Sequence, residues 1–178
     1  MRAGRFGLAV TTLPRPRDWP DRNLTLPESV LAFVDFVRIT SINKLAGLTE
    51  EQARATPLTS SPAMSLLGLV KHLTAVQRQH IQIHIGGRDL PSLWRADDLE
   101  FEFRIGTAET IESVLAEFDG EWERSRVTLS AVDLEEPITV YGEPNRVGRL
   151  LVDVLQESAR HLGHLDIVRE LIDGERGE

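Results

Sequence analysis

The chain contains no cysteine. Disulfides, thiolate metal ligands and cysteine nucleophiles are therefore excluded, and any metal site has to be assembled from histidine, aspartate and glutamate. The same absence fits a cytoplasmic protein. Long hydrophobic runs are missing as well. No stretch approaches the roughly 18 apolar residues of a membrane span, and the apolar run Phe6–Val10 is too short for the core of a signal peptide. Excess positive charge is the third absence. Lys and Arg number 20 against 28 Asp and Glu, leaving a net charge of −8. With no basic cluster to offset this, neither nucleic acid nor an anionic membrane is an expected partner.

What is present suits one soluble domain. The 178 residues are 41% hydrophobic and 27% charged, enough for a sizeable core. Residues 1–26 hold Pro14, Pro16 and Pro20, which break helices, so an irregular arm is expected there, with Trp19 packing it on the body. From 27 to 174 the apolar residues recur with helical spacing. A first helix is expected from about Pro27 to Ala46, on Val30, Leu31, Val34, Val37, Ile42 and Leu45. Pro27 and Glu28 suit a first turn, and Gly47 suits the end. Thr49-Glu50-Glu51-Gln52 reads as the cap of a short extra turn.

A second helix is expected from about Met64 to Ile85, its stripe being Leu66, Leu69, Val70, Leu73, Val76 and Ile83. A third is expected from Ala108 to Ser130, capped by Thr107, with Ile111, Val114, Leu115, Phe118 and Trp122 inward. A fourth is expected from about Asn145 to Gly174. The connection 86–106 is long enough to imply that it packs on something or covers a site. Within it, Glu100-Phe101-Glu102-Phe103-Arg104 alternates like a strand but lacks a partner, and reads as extended or irregular. Ile138-Thr139-Val140-Tyr141 reads as a short strand or hairpin edge. Four long amphipathic helices with two long connections describe an all-α four-helix bundle.

The chemistry concentrates in Glu157-Ser158-Ala159-Arg160-His161-Leu162-Gly163-His164. On a helix Glu157 and His161 are i, i+4 neighbours on one face, with His164 a turn further on. The stripe of this helix is Leu150, Leu151, Val154, Leu155, Ser158, Leu162, Leu165, Val168 and Ile172. His161 falls inside it and Glu157 at its edge, whereas Arg160 lies on the outer side. A glutamate at the edge of a buried stripe needs a partner, and a metal, another cation or water would each serve. In a bundle, a third ligand has to come from a facing helix, and only the second helix offers apolar-face histidines: His72, or the i, i+4 pair His80 and His84.

Two segments carry a resemblance to a known family. Ser65-Leu66-Leu67-Gly68-Leu69-Val70-Lys71-His72-Leu73 and Glu157 to Ile167 resemble motifs of the DinB superfamily, in one of its branches of unassigned domains related to mycothiol-dependent maleylpyruvate isomerases. A weaker match runs from Asp97 to Thr110, and together they span roughly Pro27 to Gly174. The resemblance implies an up-down-down-up bundle with long connecting loops, a homodimer, and one divalent metal held by His72, Glu157 and His161. It thus selects His72 over the His80/His84 pair. The ion implied is zinc first, with nickel or iron as alternatives, and two histidines with one carboxylate leave coordination positions open, as a catalytic site requires.

The activity implied is metal-dependent transfer or isomerisation using a small thiol. The alternatives are a metal-dependent hydrolase and a non-catalytic metal-binding or interaction bundle. His164 and His80 are candidates for outer partners of the ligands or for acid–base roles. The chain departs from the family pattern at Asp153, a spare ligand or an outer partner of the ligands where histidine is common, at Gln77, where glutamate is common, and at His80, where an aromatic is common.

Overall fold

A computed structural model describes residues 12–177; the first 11 residues of the expected arm lie outside the described residues. Residues 12–25 form no helix or strand, in keeping with their prolines. They are nevertheless tied down. Arg15 and Asn43 exchange backbone–side-chain hydrogen bonds at 2.7 and 2.9 Å. Trp19 stacks on Phe36 at 4.6 Å while staying largely exposed.

The described chain is mainly helical. Helix α1 spans Leu26–Asn43, the short α2 Glu50–Arg54, α3 Leu66–Gln77, α4 Ile111–Leu129 and α5 Val147–Asp173. The Glu28 carboxylate accepts from both the amide and the hydroxyl of Thr25 at the start of α1. Thr49 caps α2 as expected, its hydroxyl accepting from Gln52 N. Gly174 closes α5 at φ 80°, a left-handed conformation that glycine adopts without penalty. Helix α1 ends three residues short of the expected Ala46, and α4 starts later than expected. Its cap is Thr110 rather than Thr107, because Glu109 folds back to bond Gly106 N and Lys71 and turns residues 106–109 out of the helix.

Helix α3 does not simply run on. From Arg78 to Ile85 it widens into a π-helix. Each residue there advances less around the axis than in an α-helix, since hydrogen bonds span five residues. The inward face shifts with it. Ile81, Gln82 and Ile85 are buried, whereas Ile83, expected in the stripe, is only half-buried. In the 86–106 connection, Phe101–Phe103 forms a single 3-10 turn rather than an extended segment. Strands β1 (Pro137–Val140) and β2 (Glu143–Arg146) pair antiparallel, Val140 opposite Glu143. Their two-residue turn, Tyr141-Gly142, has positive φ at both positions, the geometry that suits hairpin twist.

Helix α5 packs along α1 and α3, and α3 also packs on α4. Two apolar clusters result. One gathers Ile42, Leu66, Leu69, Phe118 and Leu165; the other gathers Val34, Ile81, Trp122, Leu151 and Val154. Glu157 and His161 occupy the part of α5 between Val154 of one cluster and Leu165 of the other.

Candidate metal centre

His72 projects from α3 and Glu157 and His161 from consecutive turns of α5. Each offers a ligand atom, and these atoms all lie within 4.8 Å of one another. The rings of His72 and His161 meet edge to face, 4.5 Å between centroids. Glu157 Oε2 lies 3.4 Å from His161 Nε2. Its other oxygen is taken by the guanidinium of Arg160, which lies on the exposed side of α5 as expected and reaches back to the site's edge. Residues i and i+3 on a helix are close enough for this.

Burial sets the electrostatics. His72 and His161 are each more than nine-tenths buried. Burial first, then the neighbouring His161 and Arg160, lowers the His72 pKa to about 3. Burial, His164 and Arg160 lower that of His161 to about 4. Both imidazoles are therefore neutral at pH 7 with lone pairs to offer. Both ring nitrogens of His72 are buried without a hydrogen-bond partner. An unsatisfied buried polar atom costs about 1–3 kcal/mol, and a cation between the three side chains would remove that cost. Two neutral imidazoles and one carboxylate are a donor set suited to a divalent first-row ion.

The remaining histidines divide. His164 joins the site, its Nδ1 3.3 Å from His161 Nδ1. His80 stands apart. It meets Trp94 edge to face at 5.7 Å and lies 6.1 Å from His84. Its pKa is lowered by burial and by His84, against an opposing pull from Asp153. Asp153 pairs with Arg149 and is not among the three clustered side chains. Gln77 is buried with its carbonyl oxygen unpartnered.

Two residues that sequence reasoning missed also reach the centre. Phe103 stacks on His72 at 4.3 Å with the rings 12° apart, and Glu102 Oε1 lies 3.4 Å from His72 Nδ1. Only the length of the connection hinted that it covers something.

The fold and site thus define a helical protein with a two-histidine, one-carboxylate centre between α3 and α5. A family model described as mycothiol-S-transferase matches residues 29–174, and the chain belongs to that DinB-like family. No curated protein matches the sequence significantly. Among the described residues, no helix is long and apolar enough to cross a membrane.

Proposed function

We propose that the protein is a metal-dependent enzyme that transfers a group to or from a small thiol of the mycothiol class, with His72, Glu157 and His161 as ligands of one zinc ion. Membership of the mycothiol-S-transferase family supports the thiol. The observation that carries the site is the pair of buried, unpartnered ring nitrogens of His72, one of which belongs to a cluster of ligand atoms no more than 4.8 Å apart. In this reading residues 27–174 act as one up-down-down-up bundle, a homodimer in the cytoplasm, with a small molecule and not nucleic acid as its partner.

A divalent ion held there supplies positive charge that favours deprotonation of a nearby thiol at neutral pH. The chain's own residues do the rest. His72 and His161, neutral at pH 7, present lone pairs without first losing a proton. His164 orients the His161 ring through its Nδ1. Glu157 supplies the negative charge that balances the ion, and Arg160 steadies that carboxylate. Phe103 covers His72 against water on one side by stacking on its ring. His80, one of the acid–base candidates, lies in the π-helix that follows α3.

The three-ligand arrangement favours an enzyme over a purely structural site. A closed site would need a fourth protein ligand, and neither Asp153 nor His164 joins the cluster. The test is S-conjugation of mycothiol to an aryl halide by zinc-loaded wild type and by His72→Ala. A rate with mycothiol that is absent with glutathione and lost in the variant is expected. No conjugation by fully loaded wild type would contradict the thiol-transfer reading.

A further inference from the structure

The 3-10 turn Phe101–Phe103 is seated on α3 with unusual closeness. A Cβ at Gly68 would meet the carbonyl oxygen of Phe103 at 2.4 Å, so no larger residue fits there without moving the turn. Gly68 lies one helical turn before His72, on the same face. Lys71 fastens the other side. Its Nζ donates to the Arg104 carbonyl at 2.8 Å and pairs with Glu109 at 2.9 Å. Phe103 completes the seat by stacking on the His72 ring.

The result is a carboxylate where loop residues seldom put one. Glu102 is 8% exposed, and strand-like alternation would have turned it to solvent while Phe101 and Phe103 went in. Its Oε1 faces His72 Nδ1 at 3.4 Å, and its Oε2 is buried with no partner. Burying a carboxylate this way is costly unless something uses it. His72 is the group it faces, and His72 is itself left with two unpartnered nitrogens.

We infer that Glu102 is a positioning residue for the metal centre. Its carboxylate lies 3.4 Å from His72 Nδ1, placed to take up the Nδ1–H once an ion holds the ring, which would fix the tautomer and leave the Nε2 lone pair for the ion; Gly68 is glycine so that the turn carrying Glu102 can reach. Glu102 does for His72 what His164 does for His161. A carboxylate behind a metal-bound imidazole raises its donor strength and holds the ring in place. This rests on the metal-binding reading given above and adds to it a fourth and a fifth residue that touch no ion.

The experiment is titration of metal-free protein with cobalt, read by visible absorption and by competition with a chelator, for wild type, Glu102→Gln and Gly68→Ala. Thermal melting of each metal-free protein is recorded beside it. Glu102→Gln keeps the shape and removes the charge. It is expected to bind cobalt about 10–100-fold more weakly, with an unchanged absorption band and a metal-free melting temperature equal to or above that of wild type. Gly68→Ala is expected to weaken binding in the same direction with all three ligands intact and the helical circular dichroism retained. Wild-type affinity in Glu102→Gln overturns the inference. So does an altered absorption band, which would make Glu102 a ligand, and so does a lowered metal-free melting temperature with unchanged affinity, which would make it a packing residue. Wild type that takes up no cobalt overturns the metal reading itself, and this inference with it.

Discussion

Two of the charged clusters between the helices are built on opposite principles. Between α1 and α4, Asp119 receives two hydrogen bonds from Arg15, at 2.7 and 2.6 Å, and one from Arg38 at 2.8 Å, while Arg38 also bonds Asp35. Two arginines face two aspartates, and the charges close on themselves. Burial alone would raise the Asp119 pKa, but Arg15 and Arg38 outweigh it and hold the carboxyl below its usual range. Between α3 and α5, by contrast, His72 has no partner at either nitrogen and Glu102 has an orphan oxygen. The first cluster serves stability and needs no ligand. The second is left incomplete by the protein, as a site that receives an ion would be.

This contrast yields opposite responses to mutation. The largest effect belongs to His161→Ala. Removing one of three ligands is expected to weaken zinc binding by on the order of 100-fold or more, measured by chelator competition, with little loss of metal-free stability. Saturating metal sharpens the point. At zinc 100 times above the wild-type Kd the wild type gains about 2.7 kcal/mol, which for a chain of this size raises Tm by roughly 5–10 °C, whereas His161→Ala, 100-fold weaker, gains about 0.4 kcal/mol or less. Asp119→Ala should do the reverse. It strips Arg15 of its carboxylate and leaves the buried Arg38 with Asp35 alone, at a cost of about 2 kcal/mol once the partial exposure of Asp119 is discounted. Denaturant unfolding would show that cost, with zinc affinity unchanged.

The smallest expected effect is a pH dependence of the metal-free protein. The folded pKa values of His72 and His161, about 3 and about 4, lie below the ordinary 6.5. The unfolded chain therefore takes up protons first as pH falls. Stability is fully present above about 6.5 and declines from there toward pH 4, by about 1–2 kcal/mol at pH 5 after allowing for partial solvation. Unfolding curves at pH 7 and 5 check this. A His72→Gln, His161→Gln double variant should lose most of the slope, and Asp119→Ala should keep it.

Much of this was legible in the sequence. The helical stripes located α1, α3, α4 and α5, and the spacing of Glu157 and His161 placed two of the three clustered side chains on one face. The choice of His72 came from resemblance, since spacing left His80 and His84 open. What was not legible depended on contacts distant in the chain. The π-helix replaces Ile83 by Ile81 and Ile85 in the core, and periodicity assumes a constant 100° per residue. Thr107 and Thr110 are equally good caps locally, and Lys71 on another helix decides between them by holding Glu109. Arg160 read as an outer-face residue because its stem points outward while its guanidinium reaches back to Glu157. Glu102 lay in a segment read as extended or irregular, and the 3-10 turn seated on Gly68 buries it.

The most direct test of the centre is metal content by mass spectrometry after purification without a metal-affinity tag, for wild type and His161→Ala. About one divalent ion per chain in wild type, absent from the variant, is the expected result. A wild type that stays metal-free even after zinc or nickel is added back, or a variant that keeps its ion, would contradict a centre built on His72, Glu157 and His161.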